Sequence, residues 1–197
     1  LPDEFRDCQV QRLAVFFRTF REMLRDLAPR NRDNPRIVLL TPGPANETYF
    51  EHTYLARYLG MPLVEGGDLT VREGKVWLKT LSGLQRVHAI VRRLDDDYCD
   101  PLELRSDSAL GIPGLVDAVR RGNVLVTNAL GSNLLESGAL FGFLPRLCER
   151  LMGESLAMPS VGTWWCGEPA ALEDVVSRLD RLAVKAAYPQ MRVDPMF

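Results

Sequence analysis

Short, mainly apolar runs alternate with amphipathic segments along most of the chain. The runs are four or five residues long, which is typical of strands buried on both faces, and they cover residues 36–40, 62–65, 87–91 and 123–127. Between the first two runs, residues 47–59 suit a helix that Gly60 closes. Strands that alternate with helices predict an α/β fold in which a mostly parallel sheet has helices on both faces.

The first 28 residues predict one long amphipathic helix. Its apolar side chains recur every three or four positions, at Leu13, Phe16, Phe17, Phe20, Leu24 and Leu27. Its arginine-rich face is typical of a solvated surface, and a docking surface for a partner is the alternative. The polar run at residues 29–35 then breaks the helix and predicts a linker.

Three further elements complete the predicted topology. They are a β-hairpin over residues 69–79, a brief helix from Pro113 to Gly122, and a helix from about residue 133 to residue 151. Pro145 should bend or divide the last helix, and Asn133 with Glu136 has the spacing of a capping box. Lys185 ends a further apolar run that predicts a strand.

These elements suggest three regions. Residues 1–35 are expected to form a helix and linker, residues 36–155 the α/β domain, and residues 156–197 a connector with the first strand of an incomplete subdomain. We expect the chain to be a piece of a longer protein. In a parallel sheet, ligands bind beyond the carboxyl ends of the strands, so the loops at those ends hold the candidate chemistry.

The composition excludes several classes of function. A net charge of −2 attracts neither nucleic acid nor an anionic membrane, and no apolar run approaches the roughly 18 residues needed to span a bilayer. The four cysteines are scattered, with no CxxC pair, so reduced thiols and a cytoplasmic location are expected.

The first strand-end loop, residues 41–48, passes into the start of a helix. The free amides of such a position favour an anion, with Asn46 as the N-cap, whereas the alternative is a rigid turn plus a cap. His52, beside Glu51, suits a general base or, more simply, a hydrogen-bonded structural histidine. His88 lies inside a predicted buried strand and is interpreted as a core residue.

Three consecutive aspartates follow the third apolar run and the pair Arg92-Arg93. Alternate side chains face the same way in an extended segment, so Asp95 and Asp97 can converge on one Mg²⁺ or on a substrate amine, while Arg93 meets a carboxylate or phosphate. The alternative is a structural ion network in which the arginines offset the repulsion between the carboxylates. The residues alone favour neither.

Several motifs together resemble one family, the circularly permuted type 2 ATP-grasp proteins, which are similar to glutathionylspermidine synthase. The matching motifs are LLTPGP followed by YFEH from residue 39, LVEG with Asp68 from residue 63, RRLDDD with DP from residue 92, GIPGL from residue 111, and NALGS from residue 128. The stretch TWWCGEP from residue 163 is like that of members fused to a helical alpha-E domain.

The resemblance implies a pre-ATP-grasp-like domain from a ligase that joins a carboxylate to an amine through an acyl-phosphate, with ATP and Mg²⁺ required by the complete protein. It implies catalytic roles for Arg93, Asp95 and Asp97, substrate-binding roles for Asn46, Glu51, His52, Asp68, Arg92 and Asp96, and a nucleotide contact for Lys185. The implied partners are a small-molecule or peptide substrate, the remaining ATP-grasp segments and an alpha-E domain, with neither nucleic acid nor membrane. No metal ligand is assigned.

The sequence also departs from the family pattern. Ala186 stands where relatives often have proline, and no glycine-rich phosphate-covering loop follows it. We therefore expect this chain to supply substrate-side contacts and part of the nucleotide contacts, without turnover alone. The alternative hypothesis is a non-catalytic module, derived from the same fold, that binds a peptide or partner.

Overall fold

The computed structural model describes residues 3–29 and 34–188. The helices are α1 (Asp3–Asp7), α2 (Ala14–Leu27), α3 (Tyr49–Leu59), α4 (Leu115–Arg120), α5 (Leu144–Met152) and α6 (Pro169–Val176). The strands are β1 (Ile37–Leu40), β2 (Leu63–Val64), β3 (Leu69–Arg72), β4 (Lys75–Thr80), β5 (Gly83–Arg86), β6 (Ala89–Arg92) and β7 (Leu125–Thr127). No helix among the described residues is both long enough and apolar enough to cross a membrane.

Four of the strands form the predicted parallel sheet, in the order β2-β1-β6-β7. Every pairing in it is parallel; for example, Leu39 of β1 pairs with Leu63 on one side and with Val91 on the other. All four residues of β1 are buried, as expected for a strand covered on both faces. The α/β fold class predicted from the alternating runs is therefore confirmed.

Two apolar cores cover the two faces of this sheet. Ile37 and Leu39 belong to a core that includes residues of α2 and α3, whereas Val38 and Leu40 belong to a core that includes residues of α4, β3 and β4. Neighbouring residues of a strand point to opposite faces, so β1 contributes equally to both. Helices thus lie on both faces, as predicted.

The predicted hairpin is present and is larger than expected. β3 and β4 pair antiparallel around Glu73-Gly74, and β5 adds a third antiparallel strand. The sequence gives little sign of β5, because its residues Gly-Leu-Gln-Arg are exposed or half-buried and do not alternate like a covered strand. This small sheet packs Leu69 and Val76 into one of the cores.

The prediction of one long amino-terminal helix is wrong. α1 ends near Gln9, which adopts a left-handed backbone with φ of 53°, and the amide of Val10 donates back to the carbonyl of Phe5 at 3.0 Å. No residue of α1 is buried, so no tertiary packing offsets the local signal that ends the helix. α2 keeps the predicted amphipathic character, with Leu24 fully buried.

Residues 131–188 belong to a second compact unit. The predicted helix over residues 133–151 is replaced by 3₁₀ turns at Ser132–Glu136 and Gly138–Gly142, and a regular helix begins only at α5, with Pro145 in its first turn. The capping box predicted for Asn133 and Glu136 does not form, because Gly131 occupies the cap position. The domain boundaries expected from the sequence stay predictions.

The strand predicted to end at Lys185 is reduced, among the described residues, to a single bridge residue at Val184. The remainder of that predicted region, residues 189–197, lies outside the described part of the chain.

Candidate functional site

The candidate site lies at one edge of the parallel sheet, where four loops follow the carboxyl ends of its strands. The loops comprise residues 41–48 after β1, 65–68 after β2, 93–97 after β6 and 128–130 after β7. The ladder continues one residue past the strands: the amide of Thr41 donates to the carbonyl of Val64, and the amide of Arg93 donates to that of Leu40, both at 2.9 Å. The bases of neighbouring loops are therefore held in register.

Arg92 is a structural residue of this edge. Its guanidinium pairs with the carboxylate of Asp96, and both side chains are only 9% exposed. It also donates from Nε to the carbonyl oxygen of Asn128 at 3.0 Å and from Nη2 to that of Ala129 at 3.3 Å. Arg92 therefore ties the loop after β6 to the loop after β7.

The three aspartates separate into one buried and two exposed side chains. Residues 96–98 form a 3₁₀ turn that turns Asp96 inward, and leaves the side chains of Asp95 and Asp97 exposed. The backbone carbonyl of Asp95 accepts from the amide of Tyr98 at 3.1 Å, which holds the turn in place. The middle carboxylate thus belongs to an ion pair, while the outer two face solvent.

Arg93 differs from its neighbour in burial and in contacts. Its side chain is exposed and makes no hydrogen bond or ion pair with the described residues at this edge. Its positive charge nevertheless acts on the imidazole of His52, whose pKa it helps to lower. Arg93 is thus a cation at the carboxyl edge, available to an anionic group.

His52 is buried, and both of its ring nitrogens are hydrogen-bonded to threonine hydroxyls. Nδ1 lies 2.9 Å from Oγ1 of Thr41, and Nε2 lies 3.1 Å from Oγ1 of Thr48. Burial lowers the pKa of His52 from 6.5, the charge of Arg93 lowers it further, and the exposed carboxylate of Glu51 acts in the opposite direction. These contacts are those of the hydrogen-bonded structural histidine considered from the sequence.

Asn46 shapes the loop but is not the N-cap that the sequence suggested. The N-cap position is occupied by Thr48, and Oδ1 of Asn46 accepts the backbone amide of Thr48 at 2.9 Å. The amides of Gly43, Asn46 and Tyr49 are also bonded within the loop. Because these amides serve the turn itself, the structure favours the rigid-turn interpretation over an anion site made of free amides.

Asp68 lies in a similar closed turn after β2. One of its carboxylate oxygens accepts the amide of Glu65 at 2.9 Å, in a reciprocal capping box. The carboxylate of Glu65 faces Gly43, where an added Cβ would lie 3.1 Å from Cδ of Glu65. Gly43 also has a φ of 102°, a left-handed backbone conformation that favours glycine.

Two buried residues beside the acidic turn have no counterpart in the sequence-based site. Cys99 donates weakly to the carbonyl of Asp95 at 3.3 Å, and burial raises the pKa of its thiol to about 11, so it is an unreactive core thiol. Asp100 is fully buried, and its carboxylate accepts the amides of Leu102, Gly114 and Val116. Gly114 and Val116 lie 14 and 16 residues after Asp100, so local sequence patterns do not predict these two contacts.

A sequence signal did exist for one missed residue. Thr48 lies four residues before His52, a spacing that places two side chains on the same face of a helix. The partner Thr41 lies at the end of β1, and only the fold brings it within 2.9 Å of the imidazole. His88 is buried, as predicted, and its Nδ1 accepts the amide of Arg36 at 3.0 Å.

The second unit holds Lys185 and an apolar cleft. The side chain of Lys185 is exposed. The cleft has a volume of about 510 Å³ and is lined largely by apolar side chains, among them Phe141, Met158, Val161 and Trp164, with Glu149 as its charged residue. In neither described segment, residues 3–29 or 34–188, do three His, Cys, Asp or Glu side chains converge so that they could hold a metal ion.

Comparison with known proteins matches the whole chain to one family model and to longer bacterial relatives. Residues 1–197 match the family model described as circularly permuted ATP-grasp type 2. An uncharacterized protein of Mycobacterium tuberculosis is 41% identical over 94% of the chain, and one of Synechocystis is 38% identical over 94%. A second M. tuberculosis protein, also uncharacterized, is 36% identical over 93%. The chain spans only 21%, 39% and 33% of these relatives, respectively.

Proposed function

The chain belongs to the circularly permuted ATP-grasp type 2 family, and we propose that it supplies the substrate side of an ATP-dependent ligase that joins a carboxylate to an amine. The chain covers less than two fifths of each of these relatives, so the complete reaction is proposed for a protein that carries the remaining ATP-grasp segments. An acyl-phosphate route and an alpha-E partner domain are parts of this proposal. A small-molecule or peptide substrate is also part of this proposal.

One observation carries the proposal: the loop after β6 divides into a fixed half and an exposed half. Arg92 and Asp96 form the buried pair, whereas Arg93, Asp95 and Asp97 are exposed at the carboxyl edge of the sheet. An exposed guanidinium held on a rigid strand end suits a carboxylate or phosphate, and exposed carboxylates suit an amine or a metal ion. Arg92 and Asp96 would then position the binding groups through the loop, without meeting the substrate.

The residues at this edge fit part of what ATP and Mg²⁺ require. Magnesium is usually held by one or two carboxylates together with substrate phosphates, and Asp95 and Asp97 supply carboxylates of this kind. When bound, ATP supplies the phosphoryl group that activates the carboxylate. At this edge Arg93 would orient the carboxylate. Lys185 lies in the second unit and is proposed separately, as a contact that neutralises phosphate charge. The other nucleotide contacts are proposed to come from the remaining ATP-grasp segments.

A second candidate function rests on the cleft in the second unit. Its apolar lining, with Trp164 and Glu149, suits a peptide that carries apolar side chains and a basic residue. A module that binds a partner in this way would need neither ATP nor Arg93. Nucleotide binding therefore separates the two candidates.

The decisive experiment is a calorimetric titration with Mg²⁺–ATP. It is made on this chain and on a version that carries the remaining ATP-grasp segments, each with and without Lys185→Ala. We expect binding by the longer version, weakened at least tenfold by Lys185→Ala, because this lysine is proposed to meet the phosphates.

Lys75→Ala is the matched control for that experiment, because Lys75 lies in the β-hairpin sheet and should leave nucleotide affinity unchanged. Absence of binding by both versions, with both folded, would refute the ligase proposal and favour the partner-binding module. Equal losses from Lys185→Ala and Lys75→Ala would remove Lys185 from the nucleotide site.

The exposed aspartates give a separate prediction about stability. Asp95→Asn and Asp97→Asn should each change the free energy of unfolding by less than about 0.5 kcal/mol, because both side chains are exposed and neither forms an ion pair among the described residues. Urea denaturation followed by circular dichroism measures this. A loss above about 1 kcal/mol for either variant would show that the outer carboxylates belong to a structural ion network.

A further inference from the structure

The hydrogen bonds around His52 form a directed chain that spans the loop after β1. At one end, the amide of Gly43 donates to Oγ1 of Thr41 at 3.3 Å, and this hydroxyl lies 2.9 Å from Nδ1 of His52. At the other end, Nε2 lies 3.1 Å from Oγ1 of Thr48, which donates to Oδ1 of Asn46 at 2.6 Å. One imidazole thus connects the end of β1 with the start of α3.

The direction of each bond follows from its chemistry. The backbone amide of Thr48 donates to Oδ1 of Asn46, so this atom is the amide oxygen and accepts only. The hydroxyl of Thr48 must therefore donate to Asn46 and accept from His52, which places the imidazole proton on Nε2. In the neutral ring Nδ1 is then an acceptor, and it receives the hydroxyl proton of Thr41. The neutral ring with its proton on Nε2 completes every bond in the chain.

A second proton on His52 would break this pattern. It would occupy Nδ1 and face the hydroxyl of Thr41, which already accepts the amide of Gly43, and the hydroxyl proton would lose its acceptor in a site where Thr41 is only 1% exposed. It would also charge a ring that is 2% exposed. Burying a charge is unfavourable, and so is leaving a buried hydroxyl without a hydrogen-bond acceptor.

We propose that His52 is a latch that holds the loop of residues 41–48 in place only while its imidazole is uncharged, so that acidification releases this loop from the carboxyl edge of the sheet. The charged groups that act on the ring are Arg93, from the loop after β6, and Glu51, from its own helix. This latch does not depend on the proposed ligase chemistry, and it concerns a loop that borders the same edge.

The sign of the pH effect follows from the neutral ring. The unfolded or released state binds a proton near pH 6.5, whereas the latched state binds it only at lower pH, because burial and Arg93 lower the pKa of His52. The latch is therefore complete above about pH 6.5 and weakens as the pH falls below this value. Removing the charge of Arg93 should raise the pKa of His52 in the latched state towards that of the released state and shift release to lower pH, whereas removing the charge of Glu51 should lower the latched pKa and shift release to higher pH.

Nuclear magnetic resonance of the imidazole nitrogens tests the latch without any variant. The chain has two histidines, so His52 and His88 can be assigned from each other with one substitution. We expect the neutral ring of His52 to carry its proton on Nε2 and to titrate below pH 6.5. A proton on Nδ1 in the neutral ring, or titration at or above pH 6.5, would refute the proposal.

Hydrogen exchange then tests whether the loop is released. The amides of Asn46 and Tyr49 are bonded within the loop, and the amide of Leu39 is bonded within the sheet. After correction for intrinsic exchange, protection of Asn46 and Tyr49 should fall at least tenfold between pH 7 and pH 5, while Leu39 keeps its protection. Unchanged loop protection across a completed titration of His52 would show that the ring charges without releasing the loop.

Three variants separate the latch from a merely structural role. His52→Gln retains one acceptor and one donor but cannot titrate, so its loop protection should not depend on pH. Arg93→Gln and Glu51→Gln change exposed residues and should move the release in opposite directions. If both moved it in the same direction, or if neither moved it, the charge of the ring would not control the loop. The last two variants keep the test valid if His52→Gln does not fold.

Discussion

Replacement of Arg92 by alanine should destabilise the chain by about 3–5 kcal/mol, because it leaves the carboxylate of Asp96 buried without its cation. Both side chains of this pair are only 9% exposed, so solvent screens the charge of Asp96 poorly once the guanidinium is removed. The loss should appear as a lower midpoint of urea denaturation, followed by circular dichroism, with little change in slope.

The guanidinium of Arg92 also serves two carbonyl groups that belong to a different loop. Nε donates to Asn128 and Nη2 donates to Ala129, beyond the end of β7. Arg92→Lys should therefore recover only a small part of the stability, because an ammonium group lacks the planar fork that reaches an ion-pair partner and two carbonyls together. Arg92 therefore holds the loop after β7 in place and also neutralises the buried carboxylate of Asp96.

The neighbouring residue provides the matched control. Arg93→Ala removes the same kind of side chain one position along the chain, and it should change the free energy of unfolding by less than about 0.5 kcal/mol, because Arg93 is exposed. Equal effects of the two substitutions would contradict the division of this loop into a fixed half and an exposed half. Replacement of Arg92 and Asp96 together by apolar residues should be less harmful than Arg92→Ala alone, because no buried charge is left unpaired.

The parallel sheet could be predicted because its strands are covered on both faces. Burial of every residue of β1 makes its sequence a continuous apolar run, which is an unambiguous signal. β5 has no such signal, because its residues are exposed or half-buried. The prediction of one amino-terminal helix failed for a related reason: its apolar spacing, from Leu13 to Leu27, covers only α2 and its N-cap, whereas no residue of α1 is buried. Most of the stability of a helix in a protein comes from packing of its apolar face, so nothing extends α2 towards α1.

The candidate site could be predicted as a set of loops but not as a set of roles. Residues 92–97 contain two arginines and three aspartates, and their charges alone are compatible with either a site or an ion network. The structure contains a buried ion pair beside exposed charged side chains, because the position of each residue relative to the sheet decides its burial. Asp96 turns inward to meet Arg92, whereas Arg93 and Asp95 remain exposed.

Contacts that are distant in sequence explain what sequence patterns missed. The imidazole of His52 depends on Thr41 at the end of the preceding strand, and Asp100 depends on amides that lie 14 and 16 residues further along. Periodicity and capping rules describe neighbours within a few positions, so they do not detect such pairs. Local sequence patterns therefore do not reveal that the carboxylate of Asp100 accepts the amides of Gly114 and Val116.

Asp100→Ala is the second substitution expected to have a large effect, a loss of about 3–5 kcal/mol in the free energy of unfolding. The fully buried carboxylate accepts the amides of Leu102 at 2.9 Å, Gly114 at 3.1 Å and Val116 at 2.9 Å. Alanine would leave these donors without an acceptor in a place that water does not reach, and each unpaired buried donor is unfavourable by about 1–3 kcal/mol.

Two of the three amides lie at the start of one helix, α4, so the structural effect of losing the carboxylate should be concentrated there. Gly114 and Val116 lie at the start of α4, whose residues Leu115 and Ala118 are fully buried in the core. Hydrogen exchange should accordingly show the largest loss of protection in α4 for any Asp100→Ala protein that remains folded.

Two further substitutions distinguish this explanation from a general effect of lost charge. Asp100→Asn keeps the acceptor for Leu102 and Gly114 but presents an amide donor to the amide of Val116, so its loss should be intermediate. Asp107→Ala removes an exposed aspartate whose ion pair with Arg105 is solvated, and it should change stability far less than Asp100→Ala does. If Asp100→Ala were no worse than Asp107→Ala, the carboxylate would not hold the start of α4, and the packing of that helix alone would have to account for its position.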